Sequence, residues 1–223
     1  MVTLPMCGAA DPAPEEIPPM FDHMLLGISD LDRGVAFMEE RTGIRAAFGG
    51  VHPGRGTRNA LLRLGTRRYL EIIAPDPKQS SLTVHKELRD MQEPRLLTWA
   101  VHTDDIGALA RKVAGAGFAI DGPVDGSRAR PDGKVLHWKS FSLKDDHGGM
   151  LPFFIQWGRD TDHPSEDAPS GCRLAHFAAA SSSPDEFRGV VARLGVELAI
   201  ERGAKSQLRA RIESDKGNVE LFS

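Results

Sequence analysis

Apolar and polar positions alternate over residues 21–29, putting His23, Leu25 and Gly27 on one face and Met24, Leu26 and Ile28 on the other. The pattern predicts a strand whose apolar second face lies under a helix. Residues 31–42 supply that helix, with Asp30 placed to cap its start, Val35, Met38 and Ala36 as the buried stripe, and Gly43 to stop it. Three further strands are expected over residues 45–48, 58–64 and 68–74, separated by the loop GGVHPGRGT and by Gly65-Thr66. After a short helical connector at residues 84–91, the order repeats: strand 96–103, helix 106–116, then strands near 122–128, 136–143 and 152–157. A third copy starts with strand 174–180 and helix 184–194, the helix opening on proline, and ends with strands 196–201, 206–213 and 218–222.

The repeat has a fixed spacing. Asp30 lies seven positions after His23, Asp105 seven after Thr98, and Ser183 seven after His176, so three β-α-β-β-β units are expected. The fold class is α+β, with two units forming an open cup and a third appended. The boundaries read as a disordered tail over 1–19, units at 20–94, 95–160 and 173–223, and a polar Pro/Gly-rich linker over 161–172. A curved sheet under one helix needs cover on its other face. With an odd number of units, the third is expected to cover its open face in a two-fold homodimer.

Composition narrows the function by exclusion. Lys and Arg total 28 against 31 Asp and Glu, with no long run of either sign, so nucleic acid and membrane surfaces are not expected partners and a small-molecule substrate is. No apolar run is long enough to span a bilayer, and the first residues lack the basic start and apolar core of a signal peptide. Cys7 and Cys172 sit in settings poor for a disulfide framework, which fits a reducing cytoplasm.

Parity then brings candidate chemistry together. In YLEII, Glu71 alternates with Leu70 and Ile72; if those two lie under the helix, Glu71 shares the face of His23. Imidazole and carboxylate converging on an open sheet face suit zinc, nickel, manganese or iron(II). The third unit repeats the pair as His176 and, in NVELF, Glu220, a possible second site. The second unit holds Thr98 and, in FFIQW, Gln156. His102 shares the face of Thr98. The loop VHPGRGTRN gathers His52, Arg55, Arg58 and Asn59, which can clamp a substrate carboxylate or carbonyl or stand as an ordinary solvated hairpin. His85, His147 and His163 are expected to be exposed, and His137 can face the cup.

The repeat, the opening DHMLLGISDLD and the strand-borne glutamate resemble the vicinal oxygen chelate superfamily. The loop GGVHPGRGTRNALL followed by RYLEIIAPDP resembles its glyoxalase-like domain branch. That resemblance implies paired modules around a divalent metal, with His23 and Glu71 as ligands, Gln156 as a third, and Thr98 where a second histidine is usual. It implies a metal-dependent lyase or isomerase acting on a small substrate with vicinal oxygens, with Glu71 as ligand or general base and Arg55 or Arg58 fixing substrate charge. Two other readings stay open: a metal-free small-molecule binding protein of the same fold, and a ring-cleaving dioxygenase.

Overall fold

The computed structural model describes residues 17–223. In the first unit, β1 (Phe21–Gly27), α1 (Leu31–Thr42), β2 (Ala47–His52), β3 (Thr57–Gly65) and β4 (Arg68–Pro75) follow one another. The second holds β5 (Arg95–His102), α2 (Ile106–Gly115), β6 (Ile120–Ala129), β7 (Val135–Leu143) and β8 (Phe153–Trp157). The third holds β9 (Cys172–Ser181), α3 (Pro184–Leu194), β10 (Ala199–Arg202), β11 (Gln207–Ser214) and β12 (Gly217–Phe222). The connector between the first two units is a 3-10 turn, Lys86–Asp90, shorter than the helix expected there.

The first two units share one eight-stranded sheet in the order β2-β3-β4-β1-β5-β8-β7-β6. Each unit pairs its first strand in parallel with its last, β1 with β4 and β5 with β8, and the two first strands meet antiparallel at the centre. The halves therefore match about the β1–β5 seam, and the sheet curls into an open cup.

Local chemistry sets the ends of α1. Asp30 Oδ1 accepts from the amides of Asp32 and Arg33 at 2.9 and 3.1 Å, and Gly43 takes the left-handed conformation at φ 77°. A cap of this kind stabilises by about 1 kcal/mol. Gly34 lets the helix lie close on β4, since a Cβ there would come within 2.7 Å of Ile72 Cγ2.

The third unit departs from the other two in strand order, β10-β9-β11-β12. Its first strand pairs in parallel with its second, and its last strand lies at the edge beside β11. Its apolar face packs on the side of the large sheet opposite the cup: Phe177 makes an edge contact with Phe21 at 4.9 Å and meets Trp99 at 5.1 Å, within one continuous core. The face expected to need a second copy is thus covered by the chain itself. The outer face is polar, with Glu201 taking His176 at 3.0 Å and Arg209 at 3.0 Å.

That order also overturns the second metal pair. His176 lies opposite Arg211, and Arg211 opposite Glu220, so a whole strand separates His176 from Glu220. Residues 161–172 are no loose linker. His163, Ser165 and Ala168 are buried, Pro169 O accepts from Arg63 N at 2.9 Å, and the segment runs as a strap against the first unit. The expected tail falls outside the described residues up to residue 16; Ile17 beyond it joins the core.

Candidate functional site

The cup holds a cavity of about 590 Å³. His23 and Leu25 from β1 and Glu71 and Ile73 from β4 enter its wall, while Met24, Leu26, Leu70 and Ile72 pack in the core behind them. The period-two alternation of two neighbouring parallel strands therefore brings His23 and Glu71 together as their parity requires. His23 Nε2 lies 3.6 Å from Glu71 Oε2.

The residue that organises the pair is Asp22, which sequence parity would assign to the other face. A register shift between Phe21 and His23 in the β1–β5 pairing breaks the alternation, so Phe21 and Met24 are both core residues and Asp22 joins the side of His23. Asp22 is fully buried. Its carboxylate meets His23 Nδ1 at 2.6 Å, His163 Nε2 at 3.2 Å and Trp157 Nε1 at 3.0 Å. Burial alone would raise its pKa; the bonds from His163 and His23 outweigh it and hold Asp22 well below the usual carboxylate range.

Those contacts fix the tautomers. An ionised carboxylate only accepts, so His23 Nδ1 and His163 Nε2 both donate to Asp22. His163 Nδ1 in turn accepts from Ser165 N at 3.2 Å and from Ser165 Oγ at 2.8 Å, the pattern of a neutral ring. His23 Nε2 is left facing Glu71. His163, expected to be exposed, is 1% exposed because the strap carries it under the cup.

Glu71 is buried, which would raise its pKa, yet nearby histidine charge, the Asn59 hydrogen bond and Arg128 hold it down. Asn59 Nδ2 donates to Glu71 Oε1 at 2.8 Å and lies 3.4 Å from His52 Nε2. His52 Nδ1 pairs with Thr57 Oγ1 at 2.8 Å. Burial pushes the His52 pKa down to about 4, so the ring is neutral at neutral pH, and Asn59 and Arg128 are the partners that sustain the Glu71 charge there. Tyr69 stacks on His23 with centroids 4.5 Å apart, and burial pushes its phenol up, keeping it neutral.

Of the other expected site residues, His52, Arg55, Asn59 and Thr98 line the cavity. Arg58 does not; it has the opposite parity to Asn59, and its charge acts on Asp76. His102 keeps the parity of Thr98 but stands at the end of β5, where its titratable neighbours are Asp22, Asp104, Arg67 and His163, outside the cavity wall. Gln156 is turned away: its Oε1 accepts from Ile106 N at 3.0 Å and its Nε2 donates to Asp104 O at 2.8 Å, tying it to the start of α2. The cup-facing place on β8 belongs to Ile155. His137 is not in the wall, whereas His85 is.

Arg128 is the second residue that sequence reasoning missed. It reaches from β6, at one edge of the sheet, to Asn59 Oδ1 at 3.4 Å near the other edge. The glycine pair of β2 is its sequence trace, because a Cβ at Gly49 would lie 2.5 Å from Arg128 Nη1.

A divalent ion fits this donor set incompletely. His23 presents Nε2 with its other nitrogen held by a carboxylate, the outer-shell support typical of metal-ligating histidines, and Glu71 Oε2 stands beside it. His52 Nε2 is 3.8 Å from the other oxygen, Glu71 Oε1, which Asn59 engages. Thr98 and Ile155 bring no strong donor, and among the described residues no group of three or more His, Cys, Asp or Glu is arranged to hold a metal.

Two β-α-β-β-β halves curled about one cavity, with a His–carboxylate pair on neighbouring strands, define a cup-shaped α+β fold. The chain belongs to the glyoxalase-like domain family, whose model matches residues 21–195, within the vicinal oxygen chelate superfamily. No curated protein matches its sequence. Among solved structures, a hypothetical protein from Staphylococcus aureus is similar at 20% identity and a TM-score of 0.66, over 83% of this chain and 87% of that one. A Streptomyces coelicolor methylmalonyl-CoA epimerase variant in complex with 2-nitronate-propionyl-CoA aligns at 21% identity and a TM-score of 0.49, over 66% and 99%. The Mycobacterium tuberculosis methylmalonyl-CoA epimerase aligns at 19% and 0.46, over 66% and 92%. At these identities the likeness is one of fold. No helix among the described residues is long and apolar enough to cross a membrane.

Proposed function

We propose that the cup is the active site of an isomerase or lyase that moves a proton at the carbon beside a carbonyl group of a small substrate. The observation that carries this reading is the Asp22–His23–Glu71 alignment, in which Nε2 of an anchored imidazole and a carboxylate face each other across 3.6 Å. His23 Nε2 takes the proton from the substrate C–H bond, whose electron pair passes into the enolate. The imidazolium so formed is flanked by Asp22 and Glu71, two negative charges that oppose the cost of burying it. Arg128 and the neutral Tyr69 phenol are available to the enolate oxygen. Return of the proton to the same or another carbon completes an isomerisation, and loss of a leaving group from the enolate completes elimination.

The test is hydrogen–deuterium exchange at that carbon, followed by proton NMR in deuterated buffer over a panel of 2-oxo acids. The wild type exchanges well above background, and His23→Gln and Glu71→Gln each slow exchange by about 100-fold or more. Background exchange by the wild type, or full exchange by both variants, removes the reading.

One observation, the Asp22 support behind His23, also favours a metal-assisted form of the same chemistry. His23 Nε2 and Glu71 Oε2 would hold a divalent ion, which supplies Lewis-acid polarisation of the carbonyl. Elemental analysis after incubation with zinc, nickel, manganese or iron(II) decides it. Stoichiometric metal that disappears in His23→Ala supports this form; sub-stoichiometric metal in both proteins ends it.

A further inference from the structure

We propose that the ligand of the cup is a small monocarboxylate with an aromatic or branched hydrocarbon body, and that its carboxylate seats on the guanidinium of Arg128. This rests on the reading of the cup as a substrate site, but not on the proton chemistry assigned to His23.

Arg128 is 4% exposed and lines the cavity. A guanidinium carries five N–H donors, yet among the described residues this one makes a single hydrogen bond, to Asn59 Oδ1, at 3.4 Å. It forms no salt bridge with a described carboxylate, although Glu71 and Tyr69 lie near enough to influence it. A buried cation with one long bond is costly unless something else engages the remaining donors. The fork of a guanidinium matches the two oxygens of a carboxylate.

Charge bookkeeping sets the valence of the ligand. Arg55 lines the same cavity and also forms no salt bridge among the described residues. Against these two cations the inner wall offers one carboxylate, Glu71, since Asp22 spends its charge on His23, His163 and Trp157. Around Arg128 the charges are thus Arg55, Arg128 and Glu71, and one anionic group balances the guanidinium there. On the second-unit side the wall carries Asp121 and Asp146. These repel a second anion, so a dicarboxylate or a polyphosphate carrier is disfavoured.

Shape and polarity set the rest. Leu25, Ile73, Phe153, Ile155, Trp138 and Trp157 form the apolar part of the wall. With about 590 Å³ of space, the cup accommodates a body of one aromatic ring or a branched chain, in the size range of small-molecule sites. Trp138 and Trp157 line the same cavity as Arg128, so a carboxylate on Arg128 can lay its hydrocarbon against the tryptophans.

Isothermal titration of the full chain with phenylpyruvate, its methyl ester, phenylmalonate and coenzyme A tests this directly. Phenylpyruvate is expected to bind saturably and at least about tenfold more tightly than each of the other three probes. Arg128→Met is expected to abolish that preference. Arg128→Lys, which keeps the charge and loses the fork, weakens phenylpyruvate by about tenfold and serves if the methionine variant does not fold. Equal binding of acid and ester, tighter binding of coenzyme A or phenylmalonate, unchanged binding in Arg128→Lys, or no binding of phenylpyruvate would each overturn the proposal. Intact binding without deuterium exchange would instead remove the proton-transfer reading and leave this one standing.

Discussion

His52 makes the stability of this protein depend on pH in a window that can be calculated. Its pKa in the folded chain is pushed down to about 4 by burial, against about 6.5 in the unfolded chain. Above pH 6.5 both states hold a neutral ring, and the contribution is fully present. As pH falls, the unfolded chain binds a proton first, so stability declines between about pH 6.5 and 4, and below that both states are protonated and nothing more is lost. The whole window amounts to about 3 kcal/mol, of which about 2 kcal/mol is lost between pH 7 and pH 5. His102, whose pKa burial also lowers, adds a loss of the same sign, so the His52 share must come from a difference. Urea denaturation of the wild type and of His52→Gln at pH 7 and pH 5 provides it. His52→Gln should be less stable at pH 7, because Thr57 and Asn59 lose their partner, yet should lose about 2 kcal/mol less on going to pH 5. With a urea slope of about 2 kcal/mol per molar, that difference is about 1 M in the relative midpoints. Parallel pH responses in the two proteins would refute a buried neutral His52.

Asp22→Asn should cost about 3–5 kcal/mol of stability, as expected when one partner of a buried charged network is removed; nitrogen NMR of His23 should show loss of the Nδ1–H tautomer, and an unchanged tautomer would contradict the Asp22 assignment. Phe177→Ala should destabilise the whole chain by about 3–5 kcal/mol in a single denaturation step, since Phe177 joins the third unit to Phe21 and Trp99; two separate transitions would mean the third unit folds independently.

The site was half legible in the chain. His23 and Glu71 could be paired because each sits on a strand whose apolar neighbours declare which face is buried, and two adjacent parallel strands then align them. The loop residues His52 and Asn59 could be placed near the cup for the same reason, and Arg58 could have been excluded by its parity against Asn59. Gln156 was misassigned because FFIQW offers apolar residues at both parities. Only packing shows that Phe154 lies in the core and that Gln156, on its side, serves the start of α2. The dimer expected from three units rested on counting sheet faces, and it lost its motive once the third sheet was seen to lie on the back of the first two.

What the sequence determined by itself was local and periodic: three strand–turn–helix starts, the caps of α1, and the shared face of His23 and Glu71. These follow from nearest-neighbour chemistry and a period of two, which need no knowledge of the rest of the chain. The tertiary structure alone decided the bulge that turns Asp22 under His23, the strap that brings His163 to it from 141 positions away, the curl that carries Arg128 across to Asn59, and the strand order that parts His176 from Glu220. Each of those depends on which distant strands pair and in what register. That choice is settled by the burial of the whole core rather than by any one stretch of it.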